Sequence, residues 1–419
     1  MKFILLTGSA LLLAQLLFFL LGVMVIAGGE EDQSLLERRS EDFTFTGNKN
    51  ITVHGIIWFP SDGASQGSIT ALVGGDGPSG KADGDFNPLI NALLDRGIAV
   101  ASWDKPGIGD SGGNWLDQSM SDRADETRSA IRELRERFED FTISAIGFSQ
   151  AGWVLPRLSI EDGLDYLVLV GPAVNWQDQS DYFGTIRMWM EGKSPAEIEE
   201  ALIQDRANED VIFNAPNFPS NLTGDLTEDR WTFIKRNRHE DSTVFIANLT
   251  IPTLVMWGED DLNVDAMNDV EIYRKFLTVS PRQVVLIPEA THALLKSTYN
   301  YQQFDQWPVE KQEEWYYEGR SAYAEGVLDL MADWVLQEAK AHSDDSWSYK
   351  SSKSKSMKSF KSKSTKSSKS MKSLKGKRSK SSKSKSTKSS KSDAAMSPNG
   401  SSVQSSKSKS SKSSKSSRV

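Results

Sequence analysis

Residues 142–152 read TISAIGFSQAG, and they indicate the fold class of this 419-residue chain more directly than any other segment. The first five of them predict a buried β-strand, and residues 151–160 predict a helix. A side chain on a sharp turn between a strand and a helix has strained backbone angles and needs small neighbours two positions away. Gly147 and Ala151 occupy those positions around Ser149. The segment therefore predicts that Ser149 is a nucleophile, with N–H groups at the helix N-terminus stabilising an oxyanion.

A serine hydroxyl needs a base to take its proton, and the chain has four histidines. His292 lies just beyond an apolar run, residues 284–287, that predicts a strand. Loops at the C-terminal ends of strands form the site of a doubly wound sheet, so we predict His292 as the base. The other three lie in an early strand, in a long insertion and beside the C-terminal tail: His54, His239 and His342.

The base in turn needs an orienting carboxylate. Glu259, Asp260 and Asp261 follow an apolar run at residues 253–257 that predicts another strand. Any of the three acids could serve. We choose Asp261, three residues past the glycine that ends the strand, with Asp260 as the second choice.

Short apolar runs alternate with amphipathic stretches from residue 42 to about residue 337, which predicts an α/β fold with a mostly parallel, doubly wound sheet. The runs that predict parallel strands are 68–73, 98–103, 142–146, 166–170, 253–257 and 283–287. An antiparallel pair precedes them at 43–46 and 51–59. The stretches that predict helices are 88–96, 124–138, 151–160, 264–276 and 321–336. Residues 175–249 carry many aromatic side chains but no clear core strand, so we predict that they form a helical cap insertion.

Two further segments complete a resemblance to a known superfamily. Residues 104–111, DKPGIGDS, resemble the Asp-x-Arg-Gly-x-Gly-x-Ser turn of α/β-hydrolases, and residues 73–78, VGGDGP, resemble their His-Gly oxyanion loop. Together with the order Ser149, Asp261, His292, these segments make the chain similar to serine esterases, lipases and aminopeptidases of that fold over about residues 50–337. The resemblance implies that the oxyanion donors are the backbone N–H groups of Gln150 and Asp76. The chain departs from the pattern at Gly74, where a histidine is usual, and at Pro106, where an arginine is usual, and both positions bear on the shape of the oxyanion loop.

The reaction implied is acyl transfer by a Ser149–His292–Asp261 triad on a carboxylic ester, a thioester or an amide. The sharp turn that carries the nucleophile, the nucleophile elbow, has a serine and not an aspartate at position 149. This argues against epoxide opening and dehalogenation. No cofactor is expected, and no metal, because no carboxylates stand at ligand spacing with a histidine. The chain has no cysteine, which excludes disulfides and thiolate chemistry.

The N-terminus predicts entry into the secretory pathway. Residues 3–27 form an apolar run, longer than a usual signal-peptide core and long enough to span a bilayer. We predict that residues 1–28 are a membrane anchor, or alternatively a signal peptide cut after the small residues at 25–27. Residues 29–41 are predicted as a linker to a lumenal or extracellular body. Sequons for glycosylation are compatible with that location: Asn50, Asn221, Asn248 and Asn399.

Residues 341–419 differ in composition from the body, which is predicted to cover residues 42–340. Residues 350–419 hold 22 basic side chains and 31 serines against one acidic residue, whereas residues 1–349 hold 27 basic and 56 acidic side chains. This Lys/Ser-rich tail predicts disorder and resembles silaffin-like, silica-associated segments. We expect the tail to bind a polyanion or a silica surface, and the acidic body not to bind nucleic acid.

Two function classes therefore compete. One is a serine hydrolase whose tail localises it. The other is a wall or matrix protein that keeps a catalytically inactive hydrolase body for binding. The retention of serine, acid and histidine in the order of the family favours the enzyme.

Overall fold

The computed structural model describes residues 32–219, 226–279, 281–303 and 306–342. In this part of the chain, eight strands form a sheet in the order β1-β2-β4-β3-β5-β6-β7-β8. The first two strands and the β2–β4 pair are antiparallel, and all other neighbours are parallel. The strands are β1 (Ser40–Thr46), β2 (Thr52–Trp58), β3 (Ser68–Val73), β4 (Ala99–Trp103), β5 (Thr142–Phe148), β6 (Tyr166–Val170), β7 (Thr253–Gly258) and β8 (Arg282–Ile287).

The central strands are continuous apolar runs because helices cover both of their faces. Every residue of β3, β6 and β7 is buried. The outermost strand β8 is less protected: Arg282 and Gln283 are exposed and only Ile287 is fully buried. The predicted α/β-hydrolase fold, with a mostly parallel sheet, is confirmed.

Helices pack on the two faces of the sheet. On one face, α1 (Asn87–Asp95) and α9 (residues 327–342) bury leucine, methionine and valine side chains against the sheet. On the other face, α2 (Met120–Arg137) and α7 (Ala266–Phe276) form the second core cluster. The start of α2 is set by a capping box between Ser119 and Asp122, which satisfies free N–H groups of its first turn.

The strand order places the carboxyl ends of β3 and β5 beside each other. The chain leaves β3 to build β4 on one side and then returns to build β5 on the other side. Loops that diverge at such a switch point leave a crevice at the C-terminal edge of a parallel sheet. The loop after β3 and the turn after β5 both open into this crevice.

The prediction of a helix over residues 151–160 is wrong. Three short 3₁₀ turns follow β5 instead, at Ser149–Trp153, Leu155–Arg157 and Ile160–Asp162. Pro156 lacks the N–H that an α-helix needs and its ring clashes with the preceding turn, so a regular helix cannot continue through it. Any stabilisation of charge at this turn therefore comes from individual N–H groups, because no long helix is present to supply a macrodipole.

The chain carries an all-helical insertion between β6 and β7, as far as the structure describes it. Its helices are α3 (Trp176–Met190), α4 (Pro195–Asn214), α5 (Glu228–Asn237) and α6 (Thr243–Ala247). This segment coincides with residues 175–249, where we predicted a cap. We use the name cap insertion for it below.

A second insertion, residues 293–326, was not foreseen. It holds a 3₁₀ turn at Ser297–Tyr299 and the helix α8 (Val309–Glu318). Its aromatic rings pack on one another, with Tyr299 stacked on Trp307 at 5.4 Å between ring centroids. The last helix consequently begins at residue 327 and not at 321.

The predicted anchor or signal at residues 1–28 and almost all of the predicted tail at 341–419 lie outside the described residues. Across the residues that the structure does describe, we find no helix with the length and apolar character needed to span a membrane.

Candidate active site

Ser149 lies at the carboxyl end of β5 with strained backbone angles. Its φ is +50°, in the left-handed region that residues other than glycine rarely adopt, at a cost of about 1–3 kcal/mol. Close packing around the turn leaves no room for larger neighbours. A Cβ atom on Gly147 would lie 2.5 Å from Leu155, and one on Gly152 would lie 2.5 Å from Pro172. The turn thus has the sharp geometry that the sequence predicts for a nucleophile, with Ser149 half-buried.

His292 and Asp261 are in direct contact. His292 follows β8, Asp261 follows β7, and His292 Nδ1 lies 2.7 Å from Asp261 Oδ2. The Asp261 carboxylate is completely buried, and its other oxygen accepts the backbone N–H groups of Asn263 and Val264 at 2.7 and 2.9 Å. Because Nδ1 is occupied, Nε2 is the ring nitrogen left to accept a proton. Ser149 and His292 line the same two cavities.

The second choice for the acid, Asp260, points elsewhere. Its carboxylate accepts the hydroxyl of Ser297 at the surface, and its carbonyl oxygen accepts Asn300 Nδ2 at 2.8 Å. Glu259 is also exposed. Asp261 is therefore the acid in contact with His292, and Glu259 and Asp260 are not.

The loop after β3 passes directly over Ser149. A Cβ atom on Gly75 would lie 3.1 Å from the Ser149 Cβ, so a larger residue would have to displace the Ser149 turn by a few tenths of an ångström. Lys105 Nζ donates to the carbonyl oxygens of Gly75 and Gly77, both at 2.6 Å. In a trans peptide the C=O of Gly75 and the N–H of Asp76 point in opposite directions. Holding that carbonyl on Lys105 therefore fixes the direction of the Asp76 N–H, which is one of the two predicted oxyanion donors.

A second buried basic side chain supports the same loop. Arg123 on α2 donates to the carbonyl oxygen of Gly74 at 2.7 Å and to Gln150 Oε1 at 2.6 Å. The side chain of Gln150 then donates to Asp76 Oδ1 at 2.9 Å, which ties the two predicted donors to each other. The loop that departs from the family pattern at Gly74 is thus held by hydrogen bonds from two side chains, Lys105 and Arg123. Sequence analysis identified neither of them, nor how the turn that departs from the pattern at Pro106 contributes Lys105.

The cap insertion contacts this loop through an ion pair. Arg230 on α5 donates to both carboxylate oxygens of Asp76, with a distance of 2.8 Å from Nη1 to Oδ1. Asp76 therefore contributes its backbone to the oxyanion loop and its side chain to the contact with the cap.

Comparison with known proteins shows the family of the chain. Residues 80–298, just over half of the chain, match the family described as serine aminopeptidase, S33. The chain belongs to this family of α/β-hydrolases. The match includes Ser149, Asp261 and His292 but begins after the oxyanion loop. No curated protein matches the chain.

Solved structures similar to this S33-family hydrolase include an esterase of Pyrococcus furiosus, with 17% identity, a TM-score of 0.45, and coverage of 67% of this chain and 89% of that chain. A 2,6-dihydroxy-pseudo-oxynicotine hydrolase has 15% identity, a TM-score of 0.46, and coverage of 74% and 70%. Est1E from Butyrivibrio proteoclasticus with ferulic acid bound has 14% identity, a TM-score of 0.41, and coverage of 71% and 99%.

The pH dependence of the hydrolase should follow His292. Burial of the ring acts to lower the pKa of His292, but the charge of Asp261 and its hydrogen bond outweigh burial, so the pKa is raised above its ordinary value of about 6.5. A protonated ring cannot accept the Ser149 proton. We expect kcat/KM to fall as the pH falls through a midpoint above about 6.5, and Asp261→Asn to move that midpoint downwards. Rate profiles between about pH 5 and 9 check this, and a wild-type midpoint below that of the variant would contradict it.

Lys105 should affect the rate more than substrate binding in this S33-family hydrolase. We expect Lys105→Met to lower kcat by about 10²-fold with little change in KM, because it frees the Gly75–Asp76 peptide that holds a proposed oxyanion donor. Steady-state kinetics on a soluble ester measure both constants. Lys81→Met is the matched control, since Lys81 bonds to Asp104 and Asp110 but not to the oxyanion loop. Equal kcat losses in the two folded variants would show that Lys105 has no specific effect.

Proposed function

We propose that this protein is a serine hydrolase that cleaves a carboxylic ester, or a thioester or amide, through an acyl-enzyme. The observation that carries the proposal is the strained Ser149, which shares its cavities with a histidine whose Nδ1 lies 2.7 Å from the fully buried Asp261 carboxylate. The S33 family supports a small-molecule substrate and hydrolase chemistry. The choice of an ester is part of the proposal.

In the proposed first half-reaction, His292 Nε2 takes the Ser149 hydroxyl proton while Oγ attacks the carbonyl carbon. The backbone N–H groups of Gln150 and Asp76 stabilise the oxyanion. The tetrahedral intermediate collapses, His292 gives its proton to the leaving oxygen, and an alcohol departs. In the second half-reaction a water molecule takes the place of the alcohol and gives a proton to His292. Its oxygen attacks the acyl-enzyme, and the acid is released with Ser149 reprotonated.

A fluorophosphonate probe tests the proposal before the substrate is known. We expect the probe to label wild-type protein at Ser149, with loss of labelling in Ser149→Ala. A folded wild-type chain that resists the probe would instead favour the alternative, a catalytically inactive hydrolase body that serves binding. Peptide mapping of the labelled chain identifies the modified residue.

The proposal extends to location. The apolar residues 3–27 support entry into the secretory pathway, with the body anchored to a membrane or secreted. N-terminal sequencing of protein from cells separates the two forms. A mature chain that begins near Gly28 would establish a cleaved signal and exclude the anchor.

The Lys/Ser-rich tail is proposed as a tether that catalysis does not need. A chain truncated after Tyr349 loses 22 basic side chains and should lose salt-sensitive binding to silica or polyanion beads. Its turnover of a small soluble ester should stay almost unchanged. Bead retention at rising salt and steady-state kinetics measure the two properties. Binding that survives truncation, or a severalfold loss of kcat, would contradict the tether.

A further inference from the structure

Ser149 and His292 lie where two chemically different cavities meet. The smaller cavity has a volume of about 390 Å³ and a mainly apolar wall. Aromatic rings form much of that wall, and most of them come from the second insertion, residues 293–326. They include Phe86, Phe148, Tyr301, Trp307, Trp315 and Tyr323. Below we name this space the aromatic cavity.

The larger cavity has a volume of about 770 Å³ and extends under the cap insertion. Its wall is mixed, with apolar side chains such as Trp176 and Phe213 beside charged and amide side chains that come from both the cap and the body. The charged and amide side chains include Asp76, Gln150, Glu209, Arg230, Arg238 and Gln303. We name it the polar cavity. A molecule that occupies both cavities across Ser149 therefore meets an apolar wall at one end and, at the other, a wall that also offers hydrogen-bonding groups.

The two steps of the proposed reaction decide which end is the acid. By microscopic reversibility, the water that hydrolyses the acyl-enzyme occupies the position that the alcohol has left. Water is retained where polar groups can bind it, and an apolar cavity does not hold it well. The alcohol therefore leaves through the polar cavity, and the acyl group stays in the aromatic cavity.

A buried acceptor at the junction supports a polar alcohol. Asn263 lines both cavities, and its Oδ1 atom is buried without a hydrogen-bond partner among the described residues. Its Nδ2 atom donates to the carbonyl oxygen of Gln302 at 3.1 Å, which fixes the orientation of the amide. A hydroxyl group of the substrate beside the ester bond would satisfy this acceptor if a small shift of the Asn263 side chain exposes it to the cavity.

We infer that the substrate is an ester of a compact apolar, preferably aromatic, acid with a polyhydroxylated alcohol. This inference rests on the proposed function and adds its substrate class. At about 30 Å³ for each non-hydrogen atom, the aromatic cavity holds an acyl group of roughly a dozen such atoms. A 3-phenylpropanoyl group fits that space, whereas a long fatty acyl chain exceeds it.

Two isomeric esters test the orientation on the unmodified chain. One is 2,3-dihydroxypropyl 3-phenylpropanoate, with an apolar acid and a polar alcohol. The other is 3-phenylpropyl 2,3-dihydroxypropanoate, in which the two ends are exchanged. Each kcat/KM is divided by the rate constant for alkaline hydrolysis of the same ester, which corrects for intrinsic reactivity. We expect the corrected value for the first ester to be at least about 10-fold higher than for the second. Equal values, or a preference for the second isomer, would overturn the inference.

Trp307→Ala tests the size limit. The substitution enlarges the aromatic cavity and should raise kcat/KM for a hexadecanoyl ester, whose acyl group exceeds the wild-type cavity, relative to the 3-phenylpropanoyl ester of the same alcohol, by about 10-fold. Trp189→Ala is the control, because Trp189 is a cap residue with 65% of its surface exposed and lies outside both cavities. An unchanged ratio in folded Trp307→Ala would overturn the assignment of this cavity to the acyl group.

If the fluorophosphonate probe labels Ser149 but these preferences fail, only the substrate class is wrong. If the probe does not label the chain, the proposed function itself fails.

Discussion

Replacing Ser149 by alanine is expected to lower kcat on an ester by a factor of about 10⁶. The strained turn offers no other hydroxyl in its place, and His292 without a nucleophile can only assist water. His292→Ala should be similarly severe, because the serine then has no base. The double variant should be hardly worse than either single variant, since the members of a triad act as a unit. Burst and steady-state measurements on a chromogenic ester give the rates.

The matched control for His292→Ala is His239→Ala. His239 lies exposed after α5, and its loss should leave kcat unchanged. Near-normal turnover in folded Ser149→Ala or His292→Ala would remove both residues from the proposed mechanism.

Asp261→Asn is expected to lower kcat by about 10⁴-fold. An asparagine amide donates a hydrogen bond to His292 Nδ1, so the ring proton moves to Nε2 and only a small fraction of the neutral rings can accept the Ser149 proton. The buried side chain keeps its position, because Oδ1 can still accept the N–H groups of Asn263 and Val264. Asp260→Asn serves as the paired control, and we expect only a mild effect because its carboxylate contacts Ser297. The opposite order of severity in kcat would transfer the role of the acid to Asp260.

The strands of the sheet could be predicted from the sequence because the central ones are continuous apolar runs. The predicted strands at 68–73 and 166–170 have the observed bounds. The helix after Ser149 was predicted wrongly because the apolar pattern outweighed the effect of Pro156. The second insertion was missed for a different reason: its aromatic residues show no helical period, although their density between 299 and 323 was a usable signal.

The elbow and the two loops around it could be located from the sequence, but the side-chain contacts could not. Asp260 and Asp261 follow the same strand, and only the direction of each carboxylate separates them. Lys105 is 30 residues from Gly75, and Arg123 is 49 residues from Gly74. Such contacts depend on the packing of α2 and of the turn after β4 against the loop, which no local pattern encodes.

The position of His292 after the outermost strand bears on how the protein loses activity on heating. Ser149 follows the buried strand β5, whereas β8 pairs with a neighbour on one side and has an exposed start. Local opening needs less free energy at an edge than in the core. Fraying of β8 would separate the base from Asp261 while β5 remains intact. Thermal inactivation should therefore precede cooperative unfolding, with β8 amides exchanging hydrogen faster than those of β5.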